Sequence, residues 1–136
     1  MKKRCILFLM LVMLVWSAAG AEAPEVDLDL SPLSGNILLN RLEEIRDNPE
    51  SYAGQTIRVR GKYFALLSGD SVRHTLIVCD TCQCTEIGIG LVSAAGYEIA
   101  WPENNRSVEI TATVEIFETD AGRKTARLAV SLLQAD

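Results

Sequence analysis

The chain has 136 residues, with 13 Lys and Arg against 18 Asp and Glu, one histidine and four cysteines. A net charge of −5 repels a phosphate backbone unless the basic residues gather on one face, so nucleic acid is not the expected partner. The length allows one domain with a modest core, and not two.

The N-terminus reads as a secretory signal. Lys2, Lys3 and Arg4 give a basic start, Ile6 to Trp16 is an unbroken apolar run, and Ser17-Ala18-Ala19-Gly20-Ala21 supplies small residues. The apolar run is shorter than the ~20 residues that span a bilayer. Ala19-Gly20-Ala21 fits the small-x-small cleavage rule. Ala21-Glu22-Ala23 fits too, but would leave Pro24 directly after the cut, so residues 1–21 are assigned to the signal. Cys5 precedes the apolar run, which argues against a lipid-modified mature end. An exported protein, periplasmic or secreted, with no stable membrane anchor is expected. Losing Lys2, Lys3 and Arg4 leaves 10 basic against 18 acidic residues, a charge of −8.

Residues 22–35, acidic and holding two prolines, read as a linker or arm, which leaves 36–136 as the folded domain. Ser34 is a plausible helix N-cap. Leu38, Leu42 and Ile45 fall at helical spacing, with Glu43, Glu44 and Arg46 on the other side, and Asn48-Pro49 ends the helix. Pro49 to Gln55 forms a corner in which Gly54 can take positive φ. The period then changes to two. Thr56–Leu67 alternates Ile57, Val59, Gly61, Tyr63 and Ala65 against Arg58, Arg60 and Lys62, and a glycine in the middle of so long a strand suits a bend across two sheets.

Further strands are predicted over Arg73–Asp80, Thr85–Ser93, Val108–Ile116 and Ala126–Leu132, with turns at Ser68-Gly69-Asp70 and Asp120-Ala121-Gly122. Ala94–Arg106 is irregular. One helix followed by five antiparallel strands favours a small closed barrel, because an open sheet of this size would expose two edges.

The run from Ile45 to Lys62, with its Pro49-Glu50-Ser51-Tyr52-Ala53-Gly54 corner, resembles the start of small exported bacterial OB-fold proteins. Asn105-Arg106-Ser107-Val108-Glu109-Ile110 resembles their approach to strand four. The likeness covers Leu42 to about Leu133 and implies a five-stranded OB-like barrel. It carries little about function, since such barrels host many binding roles. The departures are Gln55, where lysine is usual, and Thr111, where glycine is usual.

In that barrel the first strand pairs with the fourth, which puts Arg58, Arg60 and Lys62 beside Glu109 and Glu115 as a self-paired, solvated face. Gly88 and Gly90 share one face of the third strand. They open a groove for a ligand or another chain, or relieve crowding inside a tight barrel, and the crowding reading is preferred. Trp101 is expected to cover the barrel mouth.

The chemistry-bearing stretch is His74–Cys84, which holds the only histidine and every cysteine after the signal. Three accounts of Cys79, Cys82 and Cys84 compete. A Cys79–Cys82 disulfide could staple a hairpin tip, leaving Cys84 free, as export permits. The three thiolates could hold a soft metal, Zn²⁺ or Cu(I), although strand alternation turns His74 away from Cys79 and leaves no evident fourth ligand. A redox centre is least favoured, because Asp80 and Glu86 flank the pair where a helix N-terminus would normally lower the thiol pKa. No catalytic constellation is present. The expected function is a non-enzymatic exported binding module for a protein or small ligand, distinguished by its cysteine-bearing hairpin tip. The alternative is a soft-metal protein.

Overall fold

The structure, a computed structural model, describes residues 25–136. The expected signal peptide lies outside the described residues. The elements in chain order are β1 (Leu28–Asp29), α1 (Gly35–Asp47), α2 (Pro49–Tyr52), β2 (Thr56–Ser68), β3 (Ser71–Cys79), β4 (Glu86–Ser93), β5 (Ser107–Glu118) and β6 (Lys124–Ala135).

The chain is mainly β. β2, β3 and β4 form an antiparallel meander, β4 lies parallel to β6, β6 pairs antiparallel with β5, and β5 returns to β2. The sheet therefore closes into a five-stranded OB-like barrel with no free edge along its wall. All-antiparallel pairing was the expectation; the parallel contact of Gly90–Ser93 with Arg127–Val130 corrects it. The long connection 94–106 is what makes a parallel neighbour reachable, since a tight hairpin joins antiparallel strands only.

β2 is long enough to serve two sides of the barrel. Thr56–Lys62 pairs with β5 and Lys62–Ser68 with β3, so the strand changes partner at Gly61–Lys62. A Cβ on Gly61 would lie 2.8 Å from Leu76 Cδ1 and 2.9 Å from the Ile77 carbonyl oxygen. The bend brings β3 too close for any side chain. β5 and β6 turn at a bulge between Thr111 and Ala112, where the register passes from Leu132 to Val130. Ser131 is the extra residue, and its hydroxyl donates to the Thr111 carbonyl at 3.2 Å. The bend thus forms at Thr111 and Ser131, with no glycine at the bulge.

The inward faces of the strands and the apolar face of α1 share one core. Leu38, Leu39, Leu42 and Ile45 of α1 are buried against β3, β4 and β6. Ser34 is the N-cap in extended conformation, and Asn48 ends the helix before Pro49. Gly54 takes φ +83° at the corner. The stretch read as a linker is fastened down over its described part. Leu28–Asp29 runs parallel to Ile57–Arg58, and Leu30, 1% exposed, enters the core. Two paired residues are too few to leave a periodic signal, which is why the sequence reads as an arm.

On the outer face, Arg60 pairs with Glu109 at 2.7 Å, and Arg58 reaches Glu109 at 3.8 Å and Asp29 at 3.5 Å. Glu115 does not join them: it faces β6 and accepts from Arg127 Nε at 3.0 Å. The self-paired face is real for two of its basic residues, and its acidic side is Glu109 with Asp29.

Candidate functional site

The cysteines occupy the β3–β4 connection. The Asp80 carboxylate organises this loop, accepting from the Cys84 amide at 2.8 Å and from the Cys82 thiol at 3.3 Å. Gln83 supports the turn with φ 57°. Cys82 and Cys84 are exposed, and Cys79, the last residue of β3, is half-buried. All three are free thiols. The bridge expected between Cys79 and Cys82 is not formed: Cys79 is held in the strand ladder opposite Glu86, while Cys82 turns to Asp80 at the tip. The neighbouring Cys84 thiol, and after it the Asp80 carboxylate, push the Cys82 thiol above its usual pKa. A raised pKa lowers the thiolate fraction, which does not suit a redox nucleophile. Among the described residues no group of His, Cys, Asp and Glu is arranged to hold a metal ion.

His74 is elsewhere. It follows the inward parity of Leu76 and Val78 and lies at the barrel mouth, where Tyr63 Oη is 2.6 Å from His74 Nδ1. The indole of Trp101 stacks on the imidazole at 4.0 Å between centroids and 11° between planes. Trp101 is half-buried against the core, so it does cover the mouth. Burial pushes the His74 pKa down and the Tyr63 pKa up. The segment 94–106 carries Trp101 there because its far end is tied to β2: Tyr63 exchanges backbone hydrogen bonds with Asn105 and Arg106 at 2.7 and 2.9 Å, and the Asn104 side chain accepts from the Ala65 amide at 2.7 Å.

Beside this aromatic stack a groove of about 660 Å³ runs over the outer face of β3, β4 and β6. Its floor is Gly88 and Gly90. Ile87, Ile89 and Leu91 point into the barrel, so the two glycines point out and are exposed. This overturns the reading that they relieve crowding inside the barrel. Thr75 of β3 stands opposite Gly90, and Arg127 of β6 stands on its other side. A Cβ on Gly90 would meet nothing nearer than Arg127 Cβ at 3.9 Å, an ordinary contact, and Gly90 does not have positive φ. Neither backbone nor packing requires glycine there. Glycine within a strand costs about 0.5–1 kcal/mol relative to alanine, so an open floor is what its presence achieves.

The walls mix apolar and cationic groups. Leu66, Val72 and Phe117 line the groove, and each leaves 42–53% of its surface exposed. Arg127 is held by Glu115 and lies over the Phe117 ring at 5.4 Å. Arg46, at the end of α1, is paired with Asp47 at 3.0 Å. Arg73, opposite Leu66 in the β2–β3 ladder, has no carboxylate partner among the described residues. Among the described residues no acidic side chain lines the groove.

Sequence reasoning singled out the cysteine loop, and it weighed a groove at Gly88 and Gly90 but preferred the crowding reading. The glycine pair was the available signal, and its side of the sheet depended on a register that only the fold supplies. Compared with family models and with curated protein sequences, the chain matches none.

Proposed function

We propose that this chain is an exported, non-enzymatic OB-like binding module, and that the β3–β4–β6 groove holds its ligand. The observation that carries the reading is the bare floor at Gly90, where glycine serves neither conformation nor packing. The volume of about 660 Å³ falls in the range of small-molecule sites. The corresponding strands of other OB barrels, with the loops at their ends, are their usual binding surface. Here the ends are the β2–β3 turn, flanked by Leu66 of β2 and Val72 of β3, and the β5–β6 turn, next to Phe117 near the end of β5. Export rests on the N-terminal signal pattern. Among the described residues no helix is long and apolar enough to cross a membrane.

The test is to fill the floor. Gly90→Val suits a strand and leaves the core untouched. Fluorescence titration with phenylnaphthylamine, an uncharged aromatic probe, should show binding to the native protein and its loss in Gly90→Val. Cys82→Ser should bind as the native protein does. Equal binding by Gly90→Val, or loss in Cys82→Ser, would move the site away from the groove.

A second reading, a Zn²⁺ or Cu(I) site on Cys79, Cys82 and Cys84, draws on the exposed Cys82 and Cys84 thiols lying side by side on one loop. Metal content and thiol titration of protein from the exported fraction test it. Stoichiometric metal with three protected thiols supports it, and negligible metal with freely reacting thiols rules it out.

A further inference from the structure

We infer that the groove selects a small organic anion with an apolar, planar body, and that Arg73 is the residue that reads the charge; this rests on the groove being the binding surface. The chain is acidic overall, at −5, yet three arginines and no carboxylate line this one surface. Two of the three are committed, Arg46 to Asp47 and Arg127 to Glu115. Arg73 is the uncommitted one. It stands on β3 opposite Leu66, on the same outward face as Thr75 and Gly90, so a bound anion would have its charge at the guanidinium and its body over the glycine floor between Leu66 and Phe117.

His74 adds no competing charge. Burial lowers its pKa, and its Nδ1 is engaged by the Tyr63 hydroxyl. The bare strip over Gly88 and Gly90 admits a flat group lying on the sheet, with Phe117 as its far wall. Arg127, fixed over Phe117 by Glu115, presents a preorganised edge rather than a free second charge. One free guanidinium matches one anionic group. Among the described residues of the groove a polyanion would meet a single unpaired cation, and a body of the same sign as itself.

Two fluorescent probes of similar shape separate charge from shape: anilinonaphthalene sulfonate and uncharged phenylnaphthylamine. The sulfonate should bind about tenfold more tightly to the native protein, as expected for one charge-assisted contact. Arg73→Gln should remove about that factor for the sulfonate and leave the uncharged probe unchanged, while Arg73→Lys should restore part of it. Arg60→Gln, on the β2–β5 face, should change neither. Equal affinity for the two probes, or a sulfonate affinity indifferent to Arg73→Gln, overturns anion selection even if Gly90→Val still abolishes both. If Gly90→Val abolishes neither, the groove reading itself fails. Displacement of the sulfonate by oligothymidine at lower concentration than by unlabelled naphthalene sulfonate would give the groove to nucleic acid and overturn the inference.

Discussion

Two glycines on strands either side of β3 do opposite things, and alanine distinguishes them. At Gly61 a Cβ would meet Leu76 Cδ1 and the Ile77 carbonyl oxygen within 3 Å, at the point where β2 changes partners. Gly61→Ala should destabilise the fold by about 1–3 kcal/mol, the usual range for overpacking a core, as read from the midpoint of urea unfolding. At Gly90 the added methyl makes one ordinary contact, with Arg127 Cβ at 3.9 Å. Gly90→Ala should leave stability unchanged or raise it by up to about 1 kcal/mol, while weakening probe binding. His74 offers a second check. Its lowered pKa means that the unfolded chain takes up the proton more readily than the folded one. Its contribution is therefore full above the unfolded value of about 6.5 and is lost as pH falls from there through the folded value. As the only histidine, it gives imidazole resonances in a proton NMR titration that are free of overlap. They should titrate below about 6.5 in the native protein, and higher in Tyr63→Phe if the hydroxyl is a net donor to Nδ1.

Among the elements, the β5–β6 pair and the arm before α1 show what a sequence discloses. The alternation of Val108, Ile110, Ala112 and Val114 against Glu109, Thr113 and Glu115 is local, so the strand was legible without its partners. The same holds for α1, from its spacing, its Ser34 cap and the stop at Asn48-Pro49. The arm was not legible, because its hold is two ladder residues and one buried leucine. Leu30→Ala should cost about 2–5 kcal/mol, the usual range for truncating a fully buried leucine; a true linker residue would show no change in the urea midpoint. The parallel β4–β6 contact was also hidden, since it joins segments more than thirty residues apart. The groove was hidden for the same reason: Arg46, Arg73, Gly90, Trp101, Phe117 and Arg127 come from six separate parts of the chain. The cysteine loop, by contrast, is entirely local and drew attention for that reason. The structure holds it through Asp80 with no bridge, so Cys79→Ser should unfold as cooperatively as the native protein.

For the whole molecule, the closed barrel, the helix packed against it and the tied-down connection 94–106 form a rigid frame around one mixed apolar and cationic surface. The frame explains why the groove is preformed. Its floor belongs to β4, which is paired on both sides, and its aromatic border is stacked and hydrogen-bonded. The barrel reading and the groove reading are separable, and the second is the central claim. The most direct measurement is a two-dimensional amide NMR titration of the protein with anilinonaphthalene sulfonate. The account predicts that shifts concentrate on Arg73, Thr75, Gly88, Gly90 and Arg127, with the amides of Thr81 to Cys84 unmoved. Shifts centred on Thr81 to Cys84, with Gly88 and Gly90 unmoved, would contradict it.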